Sequence, residues 1–110
     1  MDLQKYQDEV ARTRATSDHN ETVKMALIGL QDELGEIAGP LKKYLWHGHT
    51  LAGDHLLDEM GDVLWYLTTL CNEFNISLED VLQHNVEKLC KRYPDGFSSE
   101  RSINREEYKR

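Results

Sequence analysis

From Val23 to Tyr44 the apolar residues Val23, Leu27, Leu30, Leu34, Ile37, Leu41 and Tyr44 recur at spacings that alternate four and three. That pattern draws one stripe along an α-helix, the seam of a helix packed in a bundle. The pattern returns downstream. Leu56, Met60, Val63, Leu67, Leu70 and Phe74 predict a helix over about 54–74. Leu78, Leu82, Val86 and Leu89 predict another that ends near Tyr93, with these side chains turned inward. Leu3, Tyr6 and Val10 suggest a first amphipathic helix over about 2–15, followed by a polar loop from Thr16 to Asn20. The second helix then starts near Glu21. No stretch shows the period-two alternation of a strand. The expected fold is all-α, a four-helix-type bundle in one domain over 1–96 with a polar tail over 97–110.

The punctuation agrees with these helices. Gly39-Pro40 interrupts the long stripe, and proline removes a backbone donor and crowds the preceding turn, so a kink or short break is expected there. His47-Gly48-His49-Thr50 reads as a loop. Asn75 can close the third helix in a left-handed conformation. Ser77-Leu78-Glu79-Asp80 resembles a capping box. Pro94-Asp95-Gly96 stops the fourth helix.

Two acidic pairs share one helical spacing: Glu33-x-x-Glu36 and Glu59-x-x-Asp62. Residues three apart lie on one face of a helix, so each pair aims two carboxylates the same way. Each acid immediately precedes a seam residue: Leu34, Ile37, Met60 and Val63 respectively. An offset of about 100° places all four on the border of the apolar stripe. Four crowded carboxylates raise one another's pKa unless a cation sits among them, and a hard divalent metal suits all-oxygen ligands. The same offset applies to Tyr66, Asn85, Lys88 and Arg92, which precede Leu67, Val86, Leu89 and Tyr93. Three helices thus offer one edge each, acids on two and an amide with cations on the third. Trp46 is placed to wall a pocket. Acids on such a border are often only solvated, but here each pair encloses a glycine, Gly35 and Gly61. A glycine inside a helix costs about 1 kcal/mol relative to alanine, and these, with Gly29 and Gly39, suggest close packing or ligand approach.

Composition narrows the partners. A net charge of −7 argues against a broad basic surface for nucleic acid. No run of about 18 apolar residues is present, so no membrane span is expected. The first residues, MDLQKYQDEV, lack an apolar signal region. Cys71 and Cys90 fall in apolar helical patterns and read as buried free thiols of a cytoplasmic protein. His47, His49 and His55 do not share one helical face and read as surface histidines, and Trp65 reads as packing.

The blocks Leu30-Gln31-Asp32-Glu33-Leu34-Gly35-Glu36-Ile37 and Leu57-Asp58-Glu59-Met60-Gly61-Asp62-Val63-Leu64-Trp65-Tyr66 resemble those of MazG-type nucleoside triphosphate pyrophosphohydrolases. These belong to the all-α NTP pyrophosphatase group, with the dimeric dUTPases and dCTP pyrophosphatases. The run Asn85-Val86-Glu87-Lys88-Leu89 through Lys91-Arg92-Tyr93-Pro94-Asp95-Gly96-Phe97 resembles short, single-domain members. Gly39-Pro40 departs from relatives that continue the helix with alanine or lysine. The resemblance implies a helical bundle completed by oligomerisation as a homodimer or homotetramer. It implies Mg²⁺, with Mn²⁺ as a substitute, held by Glu33, Glu36, Glu59 and Asp62. It also implies hydrolysis of a (d)NTP between the α- and β-phosphates, with a monophosphate and pyrophosphate as products. Glu36, or Glu33 beside it, is then the candidate for proton acceptance from water. Lys88 and Arg92 are candidates for phosphate charge, Asn85 for sugar or phosphate, and Tyr66 and Trp46 for the base. Two other readings compete: a helical interaction module with merely solvated acids, and a di-iron carboxylate bundle. The second needs Glu-x-x-His motifs, which this chain lacks.

Overall fold

The computed structural model describes residues 1–105, which form five α-helices and no strand. They are α1 (Leu3–Arg12), α2 (His19–Trp46), α3 (Gly53–Glu73), α4 (Leu78–Arg92) and α5 (Ser99–Ile103). Side-chain caps set most of the starts. The Asp18 carboxylate accepts the Glu21 amide at 2.9 Å, which begins α2 two residues before Glu21. Asp2 does the same for Lys5 at 2.8 Å and Ser77 for Asp80 at 3.4 Å. Such caps contribute about 1 kcal/mol each. Asn75 closes α3 at φ 55°, the left-handed conformation its position requires.

Helix α2 continues through Pro40, so of the kink or break expected there the break does not occur. The ring removes only one hydrogen bond, the one to the Glu36 carbonyl, from a helix of 28 residues. The polar stretch after Gly96 also differs from a plain tail. Ser98 caps the Arg101 amide at 3.3 Å and starts the short helix α5. Residues 106–110 of the expected tail lie outside the described residues.

The main packing is α2 on α3, with α1 against α3 and α4 leaning on α1. Gly29 lets α2 and α3 approach, because a Cβ there would overlap the Tyr66 ring. Gln7 ties three helices together. Its Nε2 donates to Asn72 Oδ1 at 2.9 Å and to the Ile76 carbonyl at 3.1 Å. Its Oε1 accepts the Leu78 amide at 2.8 Å, and its own carbonyl accepts from Asn72 Nδ2 at 3.1 Å. Trp65 packs edge-on to Tyr66 and donates to Thr13 Oγ1 at 2.8 Å.

The buried residues are few and small: Val10, Ala26, Thr22, Thr68, Thr69, Cys71, Leu78 and Gln7. They gather where α1, the start of α2 and the end of α3 meet. Away from that point the seams lie open. Leu27, Leu34, Met60, Leu67, Leu82, Val86 and Leu89 are each 41–52% exposed. The inward placing of Leu82, Val86 and Leu89 therefore does not hold within one chain, because α4 is buried only at Leu78. Cys90 is exposed for the same reason, while Cys71 is buried as expected. The radius of gyration is 17.4 Å, against about 13 Å for a compact chain of about 100 residues. Among the described residues no helix is long and apolar enough to cross a membrane.

Candidate metal centre

Helices α2 and α3 form an antiparallel hairpin through the connection 47–52. Its register reads from the pairs that meet. Gly29 lies against Tyr66, Glu33 faces Asp62 and Glu59, and Glu36 faces Glu59 and His55. As α2 advances, α3 retreats by the same number of residues. That register turns two sequence-local carboxylate pairs into one cluster.

Two overlapping groups result. Carboxylate oxygens of Glu33, Glu59 and Asp62 lie within 4.8 Å of one another. Ligand atoms of Glu36, His55 and Glu59 form a second group within the same limit. Glu59 belongs to both and is the hub. Its side chain is only 15% exposed, whereas Glu36 and Asp62 open to solvent. Glu33 is half-buried, and its Oε2 is buried with no hydrogen-bond partner. A hydrogen bond shared with Glu59, then burial, then the charges of Glu59, Asp62 and Asp32, push the Glu33 carboxyl up to about 7. A carboxyl raised this way holds a proton that a divalent cation would displace. The donor set of carboxylate oxygens with one imidazole, and the unpartnered buried oxygen, fit a metal ion.

Two residues reach this cluster that were not expected in it. His55, one turn before Glu59 on α3, was expected to be an ordinary surface histidine. The i, i+4 spacing to Glu59 was a legible signal. The second is Tyr6 of α1, whose phenol is raised by burial and by the Asp62 charge. Nothing in the sequence separates it from an ordinary stripe residue.

The remaining candidates lie elsewhere. Asn85 is exposed on α4, and Lys88 and Arg92 are half-buried there. That helix rests on α1, so one chain does not lay it along the α2–α3 seam. Arg92 stacks over the Tyr93 ring, 5.7 Å from its centroid. Trp46 is 75% exposed at the end of α2. Tyr66 packs over Gly29, one helical turn from Glu33. Gly35, Gly39 and Gly61 face open space, with nothing within 4 Å of where a Cβ would stand. Close packing therefore accounts for Gly29 alone among the four.

The family model of the MazG nucleotide pyrophosphohydrolase domain matches residues 21–97, which span α2 to α4 and both acid pairs. The chain belongs to the MazG family. The MazG fold is all-α, as found here, and a MazG domain is a nucleotide pyrophosphohydrolase, a metal-dependent hydrolase of phosphoric anhydrides. Enzymatic chemistry thus prevails over the interaction-module reading. This MazG chain is 36% identical over 83 residues to Gene 37 protein of Mycobacterium phage L5, covering 72% of this chain and 73% of that one. It is 27% identical over 101 residues to the uncharacterized protein YvdC of Bacillus subtilis (strain 168), covering 84% and 93%. No solved structure matches the chain. The match begins at residue 21, so α1, with Tyr6 and Gln7, lies outside the matched part.

Proposed function

We propose that this protein is a Mg²⁺-dependent nucleoside triphosphate pyrophosphohydrolase that cleaves a (d)NTP between the α- and β-phosphates. The observation that carries this reading is the meeting of Glu33, Glu59 and Asp62 within 4.8 Å in a MazG chain. Glu33, Glu36, Glu59 and Asp62 hold the cation, for which Mn²⁺ can substitute. Once bound, it neutralises phosphate charge and polarises the α-phosphoryl group.

The chain's own residues do the rest. Glu36 is the exposed member of its pair, within reach of water, and accepts a proton from the attacking water. Glu33, whose carboxyl is raised to about 7, would hold the cation in its deprotonated form. Lys88 and Arg92 offset the charge of the departing pyrophosphate, and Asn85 hydrogen-bonds sugar or phosphate. Tyr66 and Trp46 flank the base. The open space beside Gly35 and Gly61 lets the triphosphate approach the acids.

Lys88 and Asn85 act on the cluster of a second copy in this reading. The exposed seams of α2, α3 and α4 support a homodimer or homotetramer, because a single chain leaves them uncovered. With a net charge of −7 and two free cysteines, the protein fits a cytoplasmic enzyme acting on free nucleotides, not on nucleic acid.

The deciding experiment is pyrophosphate release by the wild type and Glu59→Gln over a panel of ribo- and deoxyribonucleoside triphosphates with Mg²⁺. The wild type is expected to form a monophosphate and pyrophosphate, and the variant to lose nearly all of that activity. Undiminished release by Glu59→Gln overturns the mechanism.

A further inference from the structure

His55 stands in the first turns of α3, with Nδ1 3.9 Å from Glu59 Oε1 and a side chain 40% exposed. That separation is too long for a hydrogen bond, so the ring nitrogen is not satisfied by the carboxylate one turn below it. It is short enough for a cation between them. Donor atoms bound at about 2.0–2.2 Å from one metal lie about 3–4 Å apart. Glu36 reaches the same place from α2, which completes three donors within 4.8 Å from two helices.

We infer that His55 is a ligand of the metal centre. It gives the half built by Glu36 and Glu59 a nitrogen donor and a preference for divalent transition cations over Mg²⁺. The reasoning is chemical. Magnesium takes oxygen donors and gives up its waters reluctantly, whereas imidazole suits transition ions. The group of Glu33, Glu59 and Asp62 offers oxygen alone and suits magnesium. The two halves of one cluster therefore differ in the metal they favour, and Glu59 is shared by both. The bland alternative is a surface histidine that pairs loosely with Glu59 when protonated.

This inference rests on the metal reading proposed above, and Mn²⁺ as the probe separates the two. The full chain is titrated to saturation with Mn²⁺ and studied by electron spin echo envelope modulation. Wild type is expected to show nitrogen-14 modulation from a directly bound imidazole. His55→Gln should lose it, whereas His47→Gln and His49→Gln keep it. Affinity of His55→Gln for Mn²⁺ should fall about tenfold or more, with much less change for Mg²⁺ and an unaltered metal-free melting midpoint. Manganese bound without nitrogen modulation, or modulation that persists in His55→Gln, overturns the role of His55 and leaves the carboxylate centre standing. No binding of Mn²⁺ by the wild type overturns both.

Discussion

Glu33 and Glu59 meet across the α2–α3 seam with carboxylate oxygens within 4.8 Å, and hydrogen bonding with Glu59, burial and the neighbouring charges push the Glu33 carboxyl up to about 7. Two acids at such a contact cannot both ionise freely without a cation. The metal-free protein is therefore proton-dependent at this point.

The sign of that dependence is definite. A carboxyl whose pKa is raised on folding stabilises the fold fully below its unfolded pKa, 4.5, and loses that contribution as pH rises through about 7. With chelator present, the melting midpoint should fall between pH 5 and pH 8. Glu33→Gln should flatten this part of the profile. Mg²⁺ should raise the midpoint far more at pH 8 than at pH 5, where protons compete for the ligands. Scanning fluorimetry across that range with chelator or Mg²⁺ checks all three statements.

Because Glu59 belongs to both groups, its loss should cost more metal stabilisation than the loss of any other acid. A cation at 100 times its Kd stabilises the fold by about 2.7 kcal/mol. Glu59→Gln should abolish most of the Mg²⁺-induced shift, while Glu36→Gln and Asp62→Asn should each retain part of it. Equal losses in all three variants would contradict the hub arrangement.

The glycines should separate by what faces them. Gly29→Ala drives a methyl into the Tyr66 ring and should lower stability by about 1–3 kcal/mol. Gly35→Ala and Gly61→Ala face open space and should raise helix stability by up to about 1 kcal/mol. If their space admits the triphosphate, both should raise KM. Urea titration and steady-state kinetics on the three variants test the contrast.

Gln7→Ala should destabilise the fold by about 2 kcal/mol, because it strands the buried Leu78 amide and half of the Asn72 side chain. Denaturant midpoints measure it. Metal affinity should hardly move, since these bonds lie at the opposite end of α3 from His55 and Glu59.

Val86 is 50% exposed and Leu82 47% exposed in one chain. Substituting either by Asp would cost a lone chain little, within about 0.5 kcal/mol. If α4 is covered by a second copy, Leu82→Asp and Val86→Asp should lower the mass in solution to that of one chain. Light scattering after gel filtration reads the outcome, and an unchanged mass would exclude α4 from the contact.

Much of this was legible from local pattern. Helical stripes, the left-handed Asn75 and the Ser77 cap depend on residues a turn or two apart, and each appears where the spacing places it. Pro40 does not break α2, because one missing hydrogen bond is minor in a helix of 28 residues with α3 packed alongside. Leu82, Val86, Leu89 and Cys90 were read as buried, because a stripe reports which face seeks cover and not which element supplies it. His55 reads as a surface histidine when it is compared only with His47 and His49, with which it shares no helical face. Its i, i+4 spacing to Glu59 is local, but Glu36, which meets it from α2, is 19 residues away.

The sequence by itself determined the first four helices, the face on which each acid stands and, through its matched family, the chemistry. Those follow from spacing along one chain, where a helix converts residue number directly into angle. Only the tertiary structure decided which faces meet. The antiparallel register of α2 and α3 made Glu59 the hub, pressed Glu33 against it and added His55. Register is a long-range choice that no local period encodes, and the one adopted brings the Tyr66 ring against Gly29.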